Sequence, residues 1–298
     1  MQESSTLKKL GKSSISATDL ASQFWCEKQM ELNYLYGRKY TEEMRKGRQM
    51  HADLQAEVFV PLNIEPVTYA DFLYKTGYED YMALKTLGQK GVCRELRIYG
   101  SVSGYRIVGQ IDELRMEDGK VRILELKTVQ PNGAKPAVDS ARAKPHIVQI
   151  MTYKKLLEDI RSGRYTLRNF SNSYGIKEKK VSDTFARALH AIGVKDELFD
   201  LEKIYGLVFD EIRSLPEISE KLEIYYIDRF TGMRSSSIII NYDEKKIYDE
   251  LVFAMQYWSG KREALPVSKD EVWKCNLCKF YGKECTVWWP KPGKEERA

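Results

Sequence analysis

The feature that most constrains this chain is a turn. Two alternating runs, residues 105–116 and 121–128, flank Asp118-Gly119, a residue pair strongly preferred in two-residue hairpin loops. A hairpin closed there places Asp112 directly opposite Glu125, with Cβ atoms ~5 Å apart on one face. The two-residue period puts Lys127 on that face and turns Leu124 and Leu126 toward a core. Like charges directly opposite each other destabilise a hairpin unless something sits between them. Mg²⁺, held by one or two carboxylates plus water and phosphate oxygens, would relieve the repulsion. Lys127 could then orient water or stabilise charge on a phosphate oxygen, and the Leu126 carbonyl could add a ligand. By itself Asp-x₁₂-Glu-x-Lys is a weak pattern, and an exposed hairpin with scattered charges competes with it.

The remaining patterns predict an α/β chain. Helices are expected over 18–35, capped by Ser16 or Thr18, and over 41–59. Another is expected over 145–160, with Pro145 in its first turn. Strands are expected over 94–100, 105–116 and 121–128. A second hairpin, 222–228 with 235–242, turns at Thr231-Gly232, and 244–257 forms an amphipathic helix. The organisation reads as a flexible lead-in (1–15), one domain (16–289) with a helical insertion at 161–216, and a flexible tail (290–298). Gln149 and Tyr153 share a face of the 145–160 helix and look toward the carboxylates. His51, in Gly47-x₃-His51, lies on the second helix; a lone histidine of this kind is more often an ordinary core or surface residue. His146 and His190 have no supporting context.

The chain of 298 residues has 48 Lys and Arg against 43 Asp and Glu, a net charge of +5. Residues 121–180 alone hold 13 basic and 5 acidic residues, a local +8, which suggests a polyanion track as readily as a solvated face. With 31% charged residues and no apolar run near ~20 residues, a spanning helix is not expected. The first residues lack a signal-peptide core and make a poor transit peptide, so an intracellular, reducing location is expected. Five cysteines are present. Cys275-x₂-Cys278-x₆-Cys285 with a remote Cys26 offers four thiolates. That set suits a [4Fe–4S] cluster better than zinc, which would normally show two CxxC pairs, although a zinc-held version stays open. Cys93 reads as a core-facing strand residue.

Taken in order, these pieces resemble a known family. His51, Asp112, Glu125-x-Lys127 and Gln149-x₃-Tyr153, bracketed by Cys26 and Cys275/Cys278/Cys285, resemble the Fe–S-containing RecB-like nucleases of the PD-(D/E)XK superfamily, and most closely the exonuclease V family. The supporting stretches include Phe24-Trp-Cys-Glu-Lys-Gln-Met30, Gly109-Gln-Ile-Asp-Glu-Leu114, Leu124-Glu-Leu-Lys-Thr128, Tyr257-Trp-Ser-Gly-Lys-Arg-Glu263 and Val272-Trp-Lys-Cys-Asn-Leu-Cys278. The resemblance implies a restriction-endonuclease-like mixed sheet flanked by helices, with 16–40 and 270–289 forming an Fe–S region. It implies a single-stranded DNA exonuclease of repair or replication, with 5′-end preference and dependence on Mg²⁺ or Mn²⁺. Asp112 and Glu125 would ligate the metal, His51 would assist there, Lys127 would be the catalytic lysine, and Gln149 and Tyr153 would support the site or the strand. Cys26, Cys275, Cys278 and Cys285 would hold the cluster. Partners would be single-stranded DNA and a single-strand-binding protein, and the protein would be a monomer. The family's "PD" is Ile111-Asp112 here, and the last cysteine spacing is x₆ where x₅ is usual. Tyr153 and Tyr165 are candidates for stacking bases, core packing being the stronger expectation for Tyr165. Two rival readings remain, a CRISPR-associated Fe–S nuclease of spacer acquisition and a clamp that binds single strands without cutting.

Overall fold

The computed structural model describes residues 5–38, 40–129, 136–228 and 230–287. A short helix α1 (Thr6–Lys9) and strand β1 (Ile15–Ser16) precede helix α2 (Ala17–Tyr36). The lead-in expected to be flexible is therefore partly ordered, because Leu7 and Ile15 have apolar partners to bury against. Ser16 caps α2 reciprocally: its hydroxyl accepts from the Asp19 N–H, and the Asp19 carboxylate accepts from the Ser16 N–H. Helix α3 (Glu42–Ala56), capped by Thr41, has no buried residue.

Helix α4 (Tyr69–Lys90) has no counterpart in the sequence-based expectations. Its start signal was present, a capping box from Thr68 to Asp71. Glycines at 77 and 88 and five aromatics lower its intrinsic propensity, and tertiary burial of Leu73, Tyr74, Ala83, Leu84 and Leu87 overrides that.

Strands β2 (Val92–Val102), β3 (Tyr105–Glu117) and β4 (Lys120–Val129) form a meander. Its turns, Ser103-Gly104 and Asp118-Gly119, carry positive φ at both residues, the tight hairpin geometry that matches strand twist. Helix α5 (Lys144–Arg161) follows and lies across all three strands. Helices α6 (Leu167–Tyr174), α7 (Asp183–Ala191) and α8 (Leu201–Arg213) occupy the expected helical stretch. They bury Phe170, Phe185, Tyr205 and Phe209 in the same apolar cluster as the sheet. Strands β5 (Lys221–Asp228) and β6 (Arg234–Asn241) and helix α9 (Glu244–Trp258) complete the order, with 3₁₀ turns over Lys269–Leu277. Trp288, Trp289 and the expected 290–298 tail lie outside the described residues.

The result is an α/β fold around one mixed sheet of six strands. β3 is its pivot. β2 pairs along one edge from Val92↔Arg115 to Val102↔Tyr105. The other edge is shared: β1 runs parallel at Ile107 and Val108, and β4 runs antiparallel from Glu113 onward. Between them, Gly109 to Asp112 has no strand partner on that edge among the described residues. β5 then pairs parallel to β4, and β6 antiparallel to β5. The split edge of β3 is where the candidate site opens.

Candidate active site

The hairpin register is the one the Asp118-Gly119 turn dictates, with Glu113 opposite Leu124 and Glu117 opposite Lys120. One step further, at Asp112 and Glu125, the ladder opens. The Asp112 carboxylate takes the place of a backbone acceptor, receiving the Leu126 N–H at 2.7 Å. On the other edge of β3, Arg94 faces Glu113 and Leu96 faces Ile111, so Glu95 stands opposite Asp112. Glu95 holds a left-handed φ of 56°, a conformation non-glycine residues adopt at a cost. Three adjacent strands thus align Glu95, Asp112 and Glu125 in a row.

His51 reaches this row from α3. Its Nδ1 donates to Glu95 Oε1 at 2.8 Å and lies 3.6 Å from Asp112 Oδ1. Ligand atoms of His51, Glu95 and Asp112 all lie within 4.8 Å of one another. Glu125 adjoins them, but its Oε1 is taken by the Lys127 ammonium. Lys127 also donates to Gln149 Oε1 at 3.0 Å, and Gln149 Nε2 donates to the Tyr153 hydroxyl at 2.6 Å. Tyr153 packs on β3 because residue 109 is glycine: a Cβ there would stand 2.9 Å from the ring.

The electrostatics ask for a cation. Asp112 is held well above the usual carboxylate range by burial, then by the neighbouring Glu125 charge. Burial pulls His51 down, but the Glu95 hydrogen bond and the charges of Asp112, Glu95 and Glu125 outweigh it and lift the ring to about 9. Lys127 is likewise raised, Glu125 and Asp112 outweighing its burial. Glu125 Oε2 is buried with no hydrogen-bond partner among the described residues. A divalent ion in the row would compete with protonation of Asp112 and His51.

The predicted residues therefore converge, with one addition. Glu95 was missed, although the reasoning that paired Asp112 with Glu125 pairs it with Glu95 once Ser103-Gly104 is taken as the preceding turn. One expectation is corrected and another holds. Tyr153 is 2% exposed, so it cannot stack a base; it positions Gln149 instead. Tyr165 is buried on Phe209, in line with core packing. Several cations of the basic run at 121–180 are tied up in ion pairs rather than left free. Lys154 pairs with Glu158 and Glu220, Lys155 with Asp159, Arg161 with Glu158, Arg164 with Asp159 and Glu244, and Lys144 with Glu250.

The cations that face the clefts are Arg142 of that run together with Arg38 and Arg48 from outside it. A cleft of about 1140 Å³ between α2 and α5 carries Arg38, Arg142 and His146, and reaches Gln149. It continues beneath α3 into a cleft of about 1490 Å³ lined by Arg38, Arg48, His51 and Glu95. Burial and the Lys127 charge push His146 down to about 3, so it is neutral in this groove.

At the far end of the groove, Cys26, Cys275, Cys278 and Cys285 line one small cavity. α2 leaves helical geometry at Cys26 (φ −169°, ψ 111°), and its Sγ accepts the Gln29 N–H at 3.4 Å. Cys26 and Cys275 are raised first by burial, then by the charges of neighbouring thiols. Four crowded thiols of this kind suit a thiolate-bound metal or cluster. Behind them, buried Glu27 accepts from both Arg262 terminal nitrogens, from the Leu265 N–H at 2.9 Å and from Gln23 at 2.5 Å. Trp25 and Gln29 line both this cavity and the groove. Cys93 is buried in β2, as expected of a core residue.

Residues 4–121, 115–206 and 199–289 match the model of a family described as exonuclease V, a 5′ deoxyribonuclease. Exonuclease V of Danio rerio is 26% identical over 286 residues, covering 93% of this chain and 71% of that protein. The crystal structure of SSO0001 aligns over 91% of this chain and 89% of its own at 15% identity, with a TM-score of 0.37.

Proposed function

Because the chain belongs to the exonuclease V family, we propose that it is a divalent-cation-dependent exonuclease of single-stranded DNA with a preference for 5′ ends. The observation that carries this reading is the convergence of Glu95, Asp112, Glu125 and His51 beside Lys127 in an open cleft. His51, Glu95 and Asp112 would hold Mg²⁺ or Mn²⁺, with Glu125 and the Leu126 carbonyl completing the site. The bound ion supplies Lewis acidity to a phosphate oxygen and a lowered pKa to its water.

The chain's own residues do the rest. The Leu126 N–H fixes the rotamer of Asp112. Lys127, pinned by Glu125 and Gln149, keeps its proton and presents positive charge where phosphate charge builds in the transition state. Tyr153 sets Gln149, and Gln149 sets Lys127. Arg38, Arg48 and Arg142 neutralise backbone phosphates along the groove, so binding weakens steeply with salt. Cys26, Cys275, Cys278 and Cys285 would hold a [4Fe–4S] cluster of structural role, fastening the 269–287 segment to α2 at the groove's end.

In this reading the core is of the PD-(D/E)XK type, with the helices of 161–216 built onto it. The protein acts as an intracellular monomer in DNA repair or replication, on strands shared with a single-strand-binding protein. No described helix is long and apolar enough to cross a membrane. The test is digestion of end-labelled single strands, linear and circular, with Mg²⁺ on anaerobically purified protein. Wild type should release label from linear strands, 5′ label first, and spare circles. Asp112→Asn, which keeps the acceptor for Leu126, should bind strands and release nothing. Cutting by Asp112→Asn, or none by wild type with any divalent ion, overturns the reading.

A further inference from the structure

Helix α3 delivers His51 to the site yet buries none of its residues. A helix with no fully buried residue depends heavily on its contacts with the body of the protein. One is steric: Gly47 passes close to Thr128, where a Cβ would lie 3.3 Å from the hydroxyl. Another is the His51–Glu95 contact itself. The third is Arg94. Its Nε donates to Glu113 Oε2 at 3.0 Å, and its Nη1 donates to the Leu54 carbonyl and to Glu57 Oε2 at 2.8 Å. Leu54 sits three residues beyond His51, in the last turn of α3, where carbonyls lack helical partners.

The anchor is firm. The Glu113 side chain is 1% exposed and that of Arg94 12%. Successive residues of a regular strand point to opposite faces, so Arg94 and Glu95 should not meet the same helix. The left-handed φ of Glu95 breaks that alternation, and both side chains touch α3.

We propose that Arg94 is a positioning residue for the metal site. By capping the C-terminal turn of α3 and tying it to Glu113, it sets where α3 places the His51 ring against Glu95 and Asp112. This rests on the metal-site reading above, and the test separates the two. Mn²⁺ is titrated into the full chain, purified anaerobically with its cluster, and followed by electron paramagnetic resonance. Pulsed spectra report the ¹⁴N coupling of a bound imidazole.

Wild type should show that coupling, and His51→Ala should lose it and bind more weakly. Arg94→Ala should bind Mn²⁺ about tenfold more weakly with reduced ¹⁴N coupling, the scale of loss seen when a ligand's supporting partner is removed. The Arg94→Ala/His51→Ala double variant should bind no more weakly than His51→Ala alone. Glu113 keeps Arg115 and Arg234 as partners, which favours folding of the Arg94 variants. If Arg94→Ala nevertheless fails to fold, Arg94→Lys keeps the charge but not the forked donor, and the same loss is expected of it. Wild-type affinity and coupling in the Arg94 variants, or a double variant whose losses multiply, overturns the proposal. Absence of ¹⁴N coupling in wild type, with His51→Ala binding normally, overturns the metal role of His51 and this proposal with it.

Discussion

His51 makes one proton visible in two opposite ways. The ring is lifted from 6.5 to about 9, burial being outweighed by Glu95, Asp112 and Glu125. A metal ligand must be neutral, so the ion competes with that proton. Between pH 7 and 8.5 the neutral fraction of a group titrating near 9 grows about 25-fold, and apparent Mn²⁺ affinity should grow by the same factor. Without metal the sign reverses. A pKa raised on folding stabilises the native state fully below 6.5 and ceases to do so as pH rises through 9. Over the same interval the metal-free protein should lose about 2 kcal/mol, a fall in Tm of roughly 3 °C. The assay is Mn²⁺ titration by paramagnetic resonance at three pH values, beside melting curves in chelator. His51→Ala should flatten both trends. A metal affinity independent of pH in wild type, or an unchanged slope in His51→Ala, refutes the reasoning.

Two further outcomes follow from the packing. Glu27→Gln leaves Arg262 facing a neutral amide at a buried site. The cost should be about 3 kcal/mol, seen as a Tm lower by roughly 5 °C, with reduced iron content because the Leu265 N–H loses its charged acceptor beside the cysteine cavity. An unchanged Tm and full iron would sink this. Gly109→Ala drives a methyl to 2.9 Å from Tyr153 and 3.1 Å from Ile98 Cγ1. The shift passes through Gln149 to Lys127, so kcat should fall about a hundredfold while Mn²⁺ affinity holds; steady-state kinetics and Mn²⁺ titration check the pair.

What the sequence disclosed depended on how local the determining physics was. Asp118-Gly119 fixes a register by itself, so the placement of Asp112 near Glu125 was legible. Glu95 was equally legible from Ser103-Gly104, but its left-handed backbone was not, because nothing in the local sequence signals a positive φ at a glutamate within a strand. Helix α4 was hidden by aromatics and glycines whose cost is repaid only by tertiary burial. The same holds for charge. Lys154 and Lys155 look like a free basic run until Glu220 and Asp159 are seen beside them. Motif spacing marked Cys26 and the three later cysteines as a set, while their shared cavity depends on the kink in α2 and the Glu27–Arg262 pair.

The cysteine site also has a place in time. Glu95, Asp112 and Glu125 come from a meander with two-residue turns, which needs only short stretches of chain to close. Cys26, by contrast, waits for Cys285, which the ribosome adds long after the meander has emerged. During synthesis the carboxylate row therefore precedes the far end of the groove that would guide a strand to it. A nascent or truncated chain would carry the acidic centre without its guide, and, in the proposed reading, acquisition of metal at the cysteines would be the last step toward a chain able to retain a strand.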